Sequence, residues 1–167
     1  MNFFKNMKSI LWLGNNNLVI AIDKFLKELG FQTLIDEIYE EDVWILDAEE
    51  KKIIIEVKSK NKNLTRQDIS KLDEHREARQ VPNMTGLLIA NTFMIANSLE
   101  NKSQPFSQNV IEKAVNTNVI ITRTIDLCRI YDVLERKKAI DSKSLLKTII
   151  GQKGWLTVKN NEIKIIT

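Results

Sequence analysis

The stretch that most constrains this 167-residue chain is Ile53-Ile54-Ile55-Glu56-Val57-Lys58. A β-branched run of this kind reads as a buried strand, because branched side chains fit a pleated surface. An acid and a base inside it are anomalous. Ionised groups on a central strand cost several kcal/mol unless they are paired or bind a metal. The two-residue period of a strand puts Ile54, Glu56 and Lys58 on one face and Ile53, Ile55 and Val57 on the other. One face is therefore apolar throughout, and the other ends in an acid and an amine.

The preceding segment, Asp42 to Leu46, reads as a second strand, joined to Lys52–Ser59 by the polar stretch Asp47-Ala48-Glu49-Glu50-Lys51. If Asp47 pairs with Lys51 across the turn, Leu46 opposes Lys52, Trp44 opposes Ile54, and Asp42 opposes Glu56. Opposed residues share a face with Cβ atoms about 4.5–5.5 Å apart, so two carboxylates converge beside an ammonium. A slip of one residue would separate them. Two adjacent carboxylates are unfavourable without a cation between them, and oxygen ligands suit Mg²⁺ or Mn²⁺ better than zinc. Such a metal polarises a phosphoryl oxygen and acidifies a bound water, while Lys58 can steady the attacking water or the charge developing on phosphate. The competing reading is a solvated ion pair on an edge strand.

The acid-x-Lys pattern alone is weak, since it starts at Glu49, Glu50, Glu56, Glu100, Glu135, Asp141 and Glu162. Only Glu56 combines a buried strand with an acid on the strand before it. The nearest rival, Glu162-Ile163-Lys164, faces a partner segment Leu156–Lys159 that offers no acid.

Around this pair the chain reads as an alternation of elements. Leu18, Ile22, Phe25 and Leu29 recur at helical spacing after Asn15-Asn16-Asn17, and Gly30 stands at the C-terminal cap. Phe31–Ile35 reads as a strand. A helix starts near Thr65 with Asp68 as the capping-box acid and ends before Pro82. Met84–Thr92 and Val119–Thr122 read as strands, and Val110–Val115, Ile125–Leu134 and Leu145–Ile150 as helices. Trp155–Val158 and Ile163–Ile166 flank Asn160-Asn161 as a hairpin. The order α-β-β-β-α-β-α-β-α plus a tail predicts an α/β fold, a central mixed β-sheet flanked by helices. The expectation is a single domain over 1–167, with its core at about 18–134 and a helix and hairpin over 141–167.

Composition sets outer limits. Cys128 is the only cysteine, so no intrachain disulfide can form, which fits a reducing compartment and argues against a cysteine-based zinc site. No apolar run approaches a membrane span, and the N-terminal segment lacks a signal-peptide pattern, so the expected location is cytoplasmic, with no membrane partner. A net charge of +3 permits a polyanionic partner without requiring one.

Glu41-Asp42-Val43-Trp44-Ile45, followed by Ile55-Glu56-Val57-Lys58 and then a polar helix, resembles the PD-(D/E)XK nuclease superfamily, whose fold is restriction-endonuclease-like. The similarity extends from about Leu18 to Leu134 and takes in Gly86–Asn91, Pro105-Phe106-Ser107 and Val119–Thr122 leading into Asp126-Leu127. The resemblance implies Asp42 and Glu56 as metal ligands, helped by the Val57 carbonyl, with Lys58 as the catalytic lysine. It implies a Mg²⁺- or Mn²⁺-dependent endonuclease that hydrolyses phosphodiester bonds of DNA by an activated water, with inversion at phosphorus. Cutting two strands needs two sites, which a homodimer would supply. Members often carry a Glu in the first helix, where this chain has Val19 with Asp23 one turn on. Many have a Gln on the helix after the lysine strand, where this chain reads Ile69-Ser70-Lys71-Leu72. These departures keep open an alternative, a catalytically inactive nucleic-acid or nucleotide-binding module of the same fold. Lys60, Lys62, Arg66 and Lys71 are candidate phosphate contacts. Trp44 and Cys128 read as core residues, and His75 as a helix-surface residue.

Overall fold

The computed structural model describes residues 8–36, 42–136 and 141–167; the side chain of Asp42, and Glu41 altogether, lie outside that set. Among the described residues, seven strands form one sheet in chain order: β1 (Gln32–Ile35), β2 (Asp42–Asp47), β3 (Glu50–Ser59), β4 (Thr85–Asn91), β5 (Val119–Arg123), β6 (Gly154–Lys159) and β7 (Glu162–Ile166). β1, β2 and β3 pair antiparallel, β3 to β6 run parallel, and β7 returns antiparallel to β6. The helices are α1 (Asn15–Glu28), α2 (Arg66–Ala78), α3 (Leu99–Lys102), α4 (Gln108–Asn116), α5 (Thr124–Arg136) and α6 (Ser142–Ile149), preceded by a 3₁₀ turn at Lys8–Leu11. The protein is therefore an α/β fold with a mixed sheet flanked by helices. No described helix is long and apolar enough to cross a membrane.

Two cores form because the strands alternate. Ile53, Ile55 and Val57 join Leu87, Ile89 and Ile120 on one face, beneath Leu18, Ile22 and Phe25 of α1 and Leu127 and Ile130 of α5. Trp44 and Ile54 join Leu88, Ala90 and Ile121 on the other, beneath Ile69 and Leu72 of α2 and Val110, Ile111 and Ala114 of α4. Ile53, Ile54 and Ile55 are all fully buried, so β3 is a central strand and not a solvated edge. The rival pair, Glu162 and Lys164, lies on the edge strand β7, where the 2.9 Å contact is largely exposed.

The C-terminal hairpin is more than a tail. β6 continues the sheet through Ile120↔Gly154 and Ile121↔Trp155. Asp126 secures it, accepting hydrogen bonds from Trp155 Nε1 (3.0 Å) and Thr157 Oγ1 (2.9 Å) while paired with Arg123 (2.6 and 2.8 Å). Asn160 and Asn161 take φ of 53° and 58°, the left-handed pair that a two-residue hairpin turn demands. Gly154 has φ +113°, and a Cβ there would stand 2.3 Å from the Ile166 carbonyl oxygen, so only glycine fits.

Candidate active site

Whether two acids meet is decided at the β2–β3 turn. Ala48 and Glu49 hold φ of 48° and 68°, a two-residue turn that closes on Asp47↔Glu50 rather than on the expected Asp47↔Lys51. Carried along the ladder, that register would set Asp42 against Ile55, on the wrong face. A β-bulge prevents this. Leu46 pairs with Lys51 and Ile45 with Ile53, so Lys52 is the extra residue on β3. The expected pairings at Leu46 and Asp47 are thus each displaced by one, while Trp44↔Ile54 and Asp42↔Glu56 stand as predicted. The tight turn and the bulge cancel, and position 42 shares the face of Ile54 and Glu56. The described ladder with β2 stops there, leaving Val57 and Lys58 of β3 beyond its last pair.

Glu56 itself is 1% exposed, beside the apolar core of that face. Lys58, two residues on, lies against Glu56 Oε1, and its own side chain is partly open to solvent. Among the described residues, Glu56 Oε2 is buried with no hydrogen-bond partner. A buried carboxylate normally has both oxygens satisfied, and an unsatisfied one costs about 1–3 kcal/mol. The structure therefore holds a buried carboxylate oxygen without a hydrogen bond, beside the backbone position of a second acid.

The helix after β3 supplies a residue that the sequence reading placed on the surface. α2 is capped by Thr65, whose N–H and hydroxyl both donate to the Asp68 carboxylate at 2.7 Å. Ile69 and Leu72 then pack on the sheet. Gly86 of β4 lets the helix come close, since a Cβ there would already stand 3.2 Å from Leu72 Cδ2. One turn beyond Leu72, His75 is carried to the sheet, and its Nδ1 lies 3.6 Å from Glu56 Oε2. The spacing 68, 72, 75 was a legible signal, because those positions share one helical stripe.

The other candidates divide. Val19 is buried in the opposite core. Asp23 is no substitute acid: its carboxylate accepts from Lys27 (2.8 Å) and from Thr33 Oγ1 (2.6 Å). Lys60 is held by Asp68 at 2.5 Å, so it serves the start of α2. Burial pushes the Asp68 carboxyl up, but hydrogen bonds from Lys60 and Thr65 outweigh this and hold it below its ordinary value. Lys62, Arg66 and Lys71 are exposed. Trp44 is 2% exposed, with Nε1 donating to Asp36 (2.9 Å), which makes it a core residue. Cys128 packs at the edge of the α1–α5 core, and burial pushes its thiol up to about 12; that is an inert thiol.

The donor set fits a hard divalent cation. Glu56 offers a carboxylate oxygen that makes no hydrogen bond among the described residues, Asp42 stands opposite it in the ladder, and no cysteine is present nearby to favour a softer metal. Among the described residues no three His, Cys, Asp or Glu side chains gather into a metal-binding group; the side chain of Asp42 is not among them. No protein-family model matches the chain, and no curated protein matches it.

Proposed function

We propose that this protein is a metal-dependent nuclease that hydrolyses phosphodiester bonds of DNA, with a restriction-endonuclease-like fold. Asp42, Glu56 and the Val57 carbonyl would hold Mg²⁺ or Mn²⁺, and Lys58 is the catalytic lysine. The observation that carries this reading is Glu56, a buried acid on a central strand with one oxygen that makes no hydrogen bond among the described residues and Asp42 opposite it. The element order from α1 to β4 and the Asp42…Glu56-Val57-Lys58 pattern support the same assignment.

The bound cation would supply Lewis-acid polarisation of a phosphoryl oxygen and a more acidic water. The protein's own groups do the rest. Glu56 is held in place by the apolar residues around it, and its burial strengthens its interaction with any cation. Lys58 lies where the site opens to solvent; its ammonium can donate to the attacking water or to a phosphate oxygen as charge accumulates. Lys62, Arg66 and Lys71, exposed on the loop and helix that follow β3, would neutralise flanking phosphates.

The test is cleavage of supercoiled and single-stranded DNA with Mg²⁺ or Mn²⁺. Wild type should cut, and Lys58→Ala should lose on the order of 10²–10³ in rate while still binding Mn²⁺. Equal cleavage by both proteins, or none by either, rejects the enzyme. One observation favours the second reading, a binding module that does not cut. The first helix brings no acid to the site, because Val19 is core and Asp23 is engaged with Lys27 and Thr33. Such a module would bind DNA with a steep salt dependence and leave it intact.

A further inference from the structure

We infer that His75 is a ligand of the same metal, so that the site is a mixed oxygen–nitrogen site that prefers Mn²⁺, Co²⁺ or Ni²⁺ over Mg²⁺. The inference rests on the proposed metal site and extends it to a residue on another element.

Three observations converge. Glu56 Oε2 is buried without a hydrogen bond. His75 Nδ1 lies 3.6 Å from that atom, too far for a hydrogen bond. It is close to the separation of two neighbouring ligands around one metal, about 3.0–3.4 Å when each bond is about 2.1 Å. The His75 side chain is 30% exposed overall, while the two facing atoms, Nδ1 and Glu56 Oε2, are themselves buried, so an ion held between them would be shielded from water. Close approach of α2 over Gly86 fixes the helix at the height that brings residue 75 to the carboxylate. Glu56 thus stands between Lys58 at Oε1 and the imidazole at Oε2.

An imidazole in the ligand set changes which ion is chosen. A site of oxygen ligands alone accepts Mg²⁺ readily. A nitrogen donor adds affinity in the order Mn²⁺, Co²⁺, Ni²⁺ and adds little for Mg²⁺.

Because His75 is the chain's only histidine, it can be followed without ambiguity. Calorimetric titration of the metal-free full-length chain with CoCl₂ and with MgCl₂ would be combined with proton NMR of the Co²⁺ form. Wild type should show a paramagnetically shifted imidazole N–H. Co²⁺ affinity should fall at least about tenfold in both His75→Ala and His75→Gln, with Mg²⁺ affinity changing less than about threefold. Glu56→Ala should abolish binding of both ions. The His75 assignment fails if no shifted imidazole resonance appears in wild type, or if the His75 variants bind Co²⁺ as wild type does while Glu56→Ala does not. If wild type binds neither ion, the metal site itself fails, and the proposed nuclease with it.

Discussion

Replacing Glu56 by leucine should stabilise the metal-free protein and remove its response to metal. In the absence of metal two effects oppose. Lys58 and His75 lose their contacts with Glu56, but both side chains are partly open to solvent and can rehydrate, so the loss is taken as about 0–1 kcal/mol. Against this, the variant no longer buries a carboxylate oxygen without a hydrogen bond, which costs about 1–3 kcal/mol, and leucine extends the core formed by Ile54, Leu72 and Leu88. The net is a gain of about 1–2 kcal/mol, provided that Lys58 turns its ammonium into water and does not stay buried and unpaired. In a chain of this length that raises the melting temperature by about 2–8 °C. Thermal unfolding would be followed in EDTA and again in excess Mn²⁺. At a hundredfold excess over its Kd, the ion should stabilise wild type by about 2.7 kcal/mol and the leucine variant not at all, so that the order of stability reverses. Loss of more than about 2 kcal/mol by Glu56→Leu in EDTA would refute the reasoning, because it would make Glu56 a stabilising structural acid.

The β2–β3 turn carries a removable cost. Ala48 and Glu49 both have positive φ, at roughly 1 kcal/mol each for non-glycine residues, so the double change Ala48→Asn, Glu49→Gly should stabilise by about 1–2 kcal/mol in urea unfolding, with metal binding retained. The Asp68 carboxyl is depressed below its ordinary value of 3.8, so its contribution is complete above that value and is lost as the pH falls through the lower, folded one. Asp68→Ala should therefore cost about 1–2 kcal/mol at pH 7 and progressively less on acidification below pH ~3.9; a gap unchanged at low pH would contradict the cap.

Local chemistry made much of this protein readable in one dimension. The Ile-rich run, the Thr65–Asp68 cap, Gly30 at the end of the first helix and the Asn160-Asn161 turn depend on neighbours a few residues away, and each lies where periodicity and turn propensity place it. The facing of positions 42 and 56 was also legible, because strand parity and loop length count residues. The route to it was not. A two-residue turn and a bulge at Lys52 gave the same pairing as a longer loop without a bulge, and the sequence could not separate two paths with one sum. Other features depended on how distant segments dock. Whether the C-terminal hairpin lies free or closes the sheet depended on β6 finding β5 and on Asp126 reaching Trp155 and Thr157. That Asp23 and Lys60 are engaged elsewhere, while His75 reaches Glu56, followed from the positions of α1 and α2 over opposite faces of the sheet. A sequence determines which side chains share a stripe or a face; which stripe meets which face is set by the close packing of the whole core.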